Sequence, residues 1–521
     1  MTEGTNQGLF VVVAVVIFGI FIFLIYFLFG DTLTPALSST FKDATENVMG
    51  ILNNDTQSGE EWVKDLENKE YVVAKDSDFE VNGDGNFIYI GEAEKVIIPN
   101  IINGVPITSV KDMFKDNTHV EAVAINNPNR IDMSYMFHNN QATSLDVSNL
   151  VTENAWNMEG MFYGSQAESL DLSGFVTSNV ENMKLMFRES QAKSLDLSSF
   201  DTSNVKDMYF MFYNSQATSL DLSNWNTSKV TNMDSMFYNS QATSLDVSSF
   251  DTSKVKYMAS MFYNSQATSL DLSSFDTSKV TKMWVMFKGS KAESLDLSSF
   301  DTSNVEDMQE MFSSSSAKSI DLSSFDTSNV TNMYQMFYES KAESLELSSF
   351  DTSKVTNMQN MFFNSKANSI YLSSFDTSTV TTMYQMFYGS QATNLDLSSF
   401  DTSNVKDMQR MFWNSKAKSI DLSSFDTSNV TTMWGMFKGS LAESLNLSSF
   451  DTSNVTTMQD MFRDSLAESL DLSSFDTSNV ADMWDMFNNS QATTAYAKTI
   501  EDADKFNNSS NKPSTLTFVV K

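Results

Sequence analysis

Aspartate recurs at one phase of the chain every 25 residues: Asp146, Asp171, Asp196, Asp221, Asp246, Asp271, Asp296 and Asp321, continued by Glu346, Asp396, Asp421 and Asp471 and interrupted by Tyr371 and Asn446. Carboxylates in a line can gather divalent cations such as calcium, or form a solvated acidic face. At the ~4.8 Å spacing of neighbouring strands, adjacent charges repel by about 0.9 kcal/mol even in water. The row is therefore costly unless cations collect along it, and both uses stay open. A second acidic row, Asp201, Asp251, Asp276, Asp301 and Asp326, precedes turn residues whose N–H groups it can bind, which is a structural use. Aromatic rings form a third line at Tyr213, Tyr238, Tyr263, Tyr338, Phe363, Tyr388 and Trp413. Rings in line can stack on glycans, anchor a protein partner or cover gaps between neighbouring units. Nearby, Gln309, Tyr334, Gln359, Tyr384, Gln409, Trp434, Gln459 and Trp484 alternate, which marks a duplication of two units at a time.

Catalytic chemistry is scarce. Without cysteine there is neither a disulfide framework nor a thiol nucleophile. The imidazoles are His119 and His138, and no motif surrounds either one. No phosphate loop, metal-ligand spacing or nucleophile elbow appears. An active site needs unlike residues converging on one point, whereas this chain repeats like residues along a line. The expectation is a protein without catalytic residues or a resident cofactor. Its net charge of -33 disfavours nucleic acid and anionic membrane surfaces as partners.

The elements that position these rows follow from the repeat itself. Residues 126 to 490 carry one 25-residue phrase without insertion or deletion, with the skeleton D-T-S-x-V-x-x-M-x-x-M-F-x-x-S-x-A-x-S-L-x-L-S-S-F. A fixed period of this length marks stacked units, none able to bury its apolar face alone. The prolines Pro35, Pro99, Pro106, Pro128 and Pro513 leave everything between 129 and 512 free of breaks in the backbone ladders. Methionine at a fixed phase is core filler rather than a soft-metal ligand set. Within 201 to 225, Val205, Met208, Met211 and Phe212 lie at i, i+3, i+6 and i+7, which predicts a short outer helix capped by Thr202 or Ser203. Ser219-Leu220-Asp221-Leu222-Ser223 alternates polar and apolar, which predicts a strand with one buried face. The fold class expected is an α/β repeat solenoid: a right-handed coil with a parallel strand sheet on one side and short helical turns on the other. Its sheet of stacked strands would span roughly 65 Å.

The phrase LDLSSFDTSNVTxMxxMF resembles the 25-residue repeat of the BspA-like leucine-rich-repeat surface proteins of bacteria. KVIIPNIINGVPITSV at 95 to 110 resembles the opening segment of such repeats, and residues 492 to 521 resemble their closing segment. The resemblance covers about 95 to 521. It implies an extracellular, cell-attached protein used in adhesion or aggregation, with a host or neighbouring-cell protein or glycan as partner.

Leu9 to Phe29 is a run of 21 uncharged residues, about 31 Å long as a helix, which matches the hydrocarbon thickness of a bilayer. It lacks the basic start and small-residue cleavage site of a secretory signal, so it reads as an uncleaved membrane anchor after a tail of residues 1–8. Leu37, Phe41, Val48, Ile51 and Leu52 then fall near heptad spacing, an amphipathic stalk helix within 30–68 that ends in polar linker. An apolar helix continuing into an amphipathic one is also the plan of pilin-like subunits. Self-association into a filament decorated with solenoids is therefore the rival to an anchored adhesin. Residues 69–125 and 491–521 are expected to cap the exposed ends of the 126–490 solenoid.

Overall fold

A computed structural model of the chain describes residues 60–521. The anchor expected at 9–29 and the stalk carrying Leu37, Phe41, Val48, Ile51 and Leu52 lie outside the described residues. The chain divides into two compact units, Met1–Val72 and Val73–Lys521. In the first unit, the described part holds a helix over 60–67, inside the span read as linker. Among the described residues, no helix is long and apolar enough to cross a membrane.

Most of the alternating Ser-Leu-Asp triplets form short strands in the second unit, paired two by two in parallel across one period. Ser219, Leu220 and Asp221 face Ser244, Leu245 and Asp246, and Ser294, Leu295 and Asp296 face Ser319, Ile320 and Asp321. Where Tyr371 interrupts the acidic row, the register still holds, with Glu346 opposite it. A second line of parallel bridges runs along the other half of each unit, through Asn157, Asn182, Asp207, Asn232, Tyr257 and Lys282. The result is a β-solenoid of about 18 turns with the 25-residue period and few helices.

The helical turns expected after each Thr-Ser pair do not form. Among the described residues, the α-helical segments are 60–67 and Ile500–Asn507. In place of a helix, the backbone alternates between two kinds of bond. The N–H groups of Met208, Phe210, Phe212 and Asn214 reach carbonyls in the next turn at Asn232, Asp234, Met236 and Tyr238. The N–H groups of Met211, Tyr213 and Ser215 close tight turns on Met208, Phe210 and Phe212. Phe210 and Asn214 carry φ of +56° and +53°, a left-handed conformation that interrupts any helix. A spacing of three, read as one helix face, also arises when consecutive tight turns aim every third side chain inward. The signal that separates the two cases is the residue type at the second left-handed position, where Asn214, Asn239, Asn264 and Gly289 stand.

The apolar residues of every unit meet in one continuous core. From Met133 to Met461, both methionines of each unit are fully buried. Beside them, phenylalanines stack from Phe114 to Phe487 with centroids 5.3–5.9 Å apart, in near-parallel planes. Each buried ring contributes about 1.5–3 kcal/mol of hydrophobic stabilisation. Thr202 is not a helix cap. Its hydroxyl donates 3.0 Å to the Asn226 carbonyl of the next turn, and Thr227, Thr252 and Thr277 repeat that bond.

Both ends of the ring stack are closed by further aromatic rings. At the start, Tyr89 tilts against Phe114 and Phe79 packs edge-on to Tyr89. At the end, Phe506 meets Phe487 at 89° and Phe518 covers it at 4.8 Å. Thr477, which opens the last, shortened repeat unit, has no further repeat carbonyl to donate to. Its hydroxyl and N–H bond Oδ1 of Asp502 at 2.6 and 3.1 Å. A buried carboxylate thus takes the place of the missing turn's carbonyl.

Candidate functional site

Rungs of the acidic ladder stand at or just past strand ends, as at Asp196 and Asp221, and their carboxylates are occupied locally. Oδ1 of Asp196 accepts the N–H and the hydroxyl of Ser198 at 3.0 and 2.6 Å. The same pair of bonds recurs between Asp221 and Ser223, Asp246 and Ser248, Asp271 and Ser273, and Asp296 and Ser298. Asp321 accepts the N–H of Ser323. Hydrogen bonds from the serine hydroxyl and then its N–H hold the carboxyls of Asp196, Asp221, Asp271 and Asp296 below the ordinary aspartate value. Beside the two uses left open by the sequence, the row thus has a structural one: the aspartates brace the turn that follows the strand position. Asn446, which breaks the row, makes both bonds to Ser448 without a charge. The second row does the same one turn later, as Asp201 accepts the Ser203 N–H at 2.9 Å. Among the described residues, no group of three or more acidic, histidine or cysteine side chains could hold a metal ion.

The aromatic ladder forms as two separate stacks. Tyr213, Tyr238 and Tyr263 lie face to face at 4.6 and 4.2 Å. Tyr338, Phe363, Tyr388 and Trp413 follow at 4.7, 4.5 and 5.7 Å. Cations close the stacks. The Arg188 guanidinium lies between Tyr163 and Tyr213, 4.8 and 4.9 Å from their centres, and Lys288 sits 5.9 Å from Tyr263. Lys438 covers Trp413 at 4.1 Å. Burial and the neighbouring Tyr263 push the Tyr238 hydroxyl up to about 12. Within the first stack every ring face is taken by another ring or a cation, so these tyrosines present edges and hydroxyls rather than stacking platforms.

His119 and His138 have separate local partners. The His119 ring is 2.8 Å from the Gly91 carbonyl. His138 stacks on Tyr163 at 4.6 Å, and burial lowers its pKa.

One feature escaped the sequence reading. Immediately beside the first tyrosine stack runs an open groove of about 770 Å³, lined by Asn139, Gly164, Gln166, Glu189, Gln191, Asn214, Gln216, Asn239, Gln241, Asn264, Gln266, Gly289 and Lys291. Two columns of the repeat build it, the second left-handed position and the residue two further on. Gln166, Gln216, Gln241 and Gln266 each donate one amide N–H to the carbonyl two residues back, at 2.8–3.1 Å. That bond holds the side chain across the groove. The Asn264 amide leans over Gly289, where a Cβ would come within 1.8 Å of its oxygen. The sequence signal was an unbroken run of glutamine at one phase, Gln141, Gln166, Gln191, Gln216, Gln241 and Gln266.

Near the other end, unlike charges gather at the phases of Phe210 and Tyr213. Asp460 accepts Lys438 and Arg463, both at 3.2 Å, and Arg463 also reaches Asp485. Asp485 in turn accepts the Asn511 amide at 2.6 Å, which ties this network to the closing segment.

Five overlapping stretches, residues 103–199, 190–298, 265–369, 340–443 and 416–514, match one family model, described as Mycoplasma protein of unknown function, DUF285. Together they cover the repeats from before the first full phrase into the closing segment. No curated protein matches the chain.

Proposed function

Because the chain belongs to the DUF285 family, whose description assigns no activity, we propose its role from the display geometry: a bacterial cell-surface adhesin working by multivalent contact. The observation that carries the reading is the in-register repetition of exposed side chains at one rung per turn, as in the pairing of Asp221 with Asp246 and Asp296 with Asp321. A partner that itself repeats can touch many rungs, so weak single contacts add into strong attachment. The resemblance to BspA-like surface proteins supports placing the solenoid outside the cell, and the apolar run at 9–29 would hold it to the membrane. A host or neighbouring-cell protein or glycan is the partner.

The test is attachment of cells that display the full chain or chains shortened in frame by two, four or eight units. Attachment should fall steeply with each step while surface display and melting behaviour persist. Attachment that is independent of unit number removes multivalent display as the mechanism.

A further inference from the structure

The groove beside the tyrosine stack has a composition unlike the rest of this acidic surface. Between Glu189 and Lys291 its walls are Asn214, Gln216, Asn239, Gln241, Asn264 and Gln266, six neutral amides in three consecutive rungs. An amide offers both a donor and an acceptor, which suits a hydroxyl that is itself both. Each glutamine spends one N–H on its own backbone and keeps a carbonyl oxygen and a second N–H for a ligand. A charged polymer would call for a run of opposite charges, and the lining offers one carboxylate, Glu189, already paired with Arg188 at 3.2 Å, and one lysine, Lys291 at the last rung.

Spacing narrows the choice further. The rings next to the groove step by 4.6 and 4.2 Å from turn to turn, close to the ~4.8 Å of parallel strands. An extended peptide repeats its same-side groups about every 6.6 Å, so it falls out of step with the rungs within a few residues. A linear pyranose chain advances by about one ring per rung and so keeps closer to the rungs than a peptide does. The tyrosine faces are already covered, so recognition falls to amide hydrogen bonds rather than to ring stacking.

From these observations we infer that the groove lined by Asn139–Lys291 binds a neutral linear polysaccharide, lying along the solenoid with about one sugar per turn. The inference rests on the adhesin reading above and names the class of its ligand. Gln216, Gln241 and Gln266 are the central contacts. The chain supplies its own conservative control, because Leu441 and Leu466 occupy the same phase and the backbone there keeps the same turn bonds.

The experiment uses the full chain in detergent against a panel of neutral linear oligosaccharides of two to eight residues, built from glucose, galactose, mannose or N-acetylglucosamine. A sulfated oligosaccharide and an extended Gly-Ser peptide are the comparators. At least one neutral series should bind, with affinity rising with length to about six residues, and both comparators should bind at least tenfold more weakly. The triple variant Gln216→Leu, Gln241→Leu, Gln266→Leu should lose at least tenfold in affinity with an unchanged melting curve, while Lys416→Leu in the other half should change nothing. Absence of binding to every neutral series, a preference for a comparator, or full binding by the triple variant overturns the inference. Cell attachment separates the two readings. Attachment that survives in the triple variant sinks the groove while leaving the adhesin; saccharide binding by a chain whose cells never attach sinks the adhesin while leaving the groove.

Discussion

Gln241 and Leu441 stand at the same phase of the repeat, eight periods apart, and donate the same backbone bond, each to the serine carbonyl of the preceding turn at 3.1 Å. The phenylalanines near them stack alike, 5.7 Å for Phe237 on Phe262 and 5.7 Å for Phe437 on Phe462. Only the variable columns differ: one half lines a neutral amide groove, while the other places lysine and leucine at the glutamine phase and an ion network at the phases of Phe210 and Tyr213. Two halves with one scaffold and two surfaces show that the constant positions make the fold and the variable ones are free to differ.

The strongest way to sharpen that comparison is to damage both cores equally. Phe237→Ala and Phe437→Ala should each cost about 3–5 kcal/mol, seen as matching losses of the unfolding midpoint in urea. Unequal losses would mean that the scaffold itself differs between the halves. The next effect belongs to one half only. Asp460 is buried against Lys438 and Arg463, so Asp460→Asn keeps the left-handed backbone but leaves two cations short of a partner, at about 2 kcal/mol. Ser260→Asn, at the same phase with φ +57°, should stay within about 0.5 kcal/mol.

A smaller effect than that of Asp460→Asn belongs to the other half and depends on pH. Burial pushes the Asp234 carboxyl from 3.8 up to about 6, although it accepts the Ala259 N–H at 2.7 Å. Between those values the folded protein holds a proton that the unfolded chain releases. Stability therefore falls as pH rises through that window and stays lower above it. Asp234→Asn should raise stability by about 1 kcal/mol at pH 7, less than the full shift implies because solvent reaches the group, and by nothing below pH 3.8. Thermal melts across pH 3 to 8 read this directly, and a gain that persists at pH 3 would break the assignment.

Much of this architecture was legible, and the failures have specific causes. Period and alternation sufficed for the strands, since Leu220 between Ser219 and Asp221 can face only one way. The helix was misread because Val205, Met208, Met211 and Phe212 satisfy both a helix face and a series of tight turns; Asn214 and Gly289 at the left-handed phase carried the deciding signal. The structural use of the acidic row stayed hidden because its serine partner two residues on was read as strand rather than as donor. The amide groove stayed hidden because Asn214 and Gln216 are ordinary polar residues singly. Their meaning comes from being brought beside Asn239 and Gln241, which only the turn-to-turn register shows.

Asp502 stands 25 residues after Thr477 and stands in for one carbonyl of a turn that is not there. The closing segment therefore meets the repeat through groups that every repeat also offers to its successor. A unit could be added to or lost from the middle of the stack without altering either seam. Length then becomes a heritable variable, adjustable by recombination between near-identical stretches of coding sequence. The two-unit alternation from Gln309 to Trp484 is the kind of trace such exchange leaves. A lineage could lengthen the solenoid in whole turns without inventing a new fold.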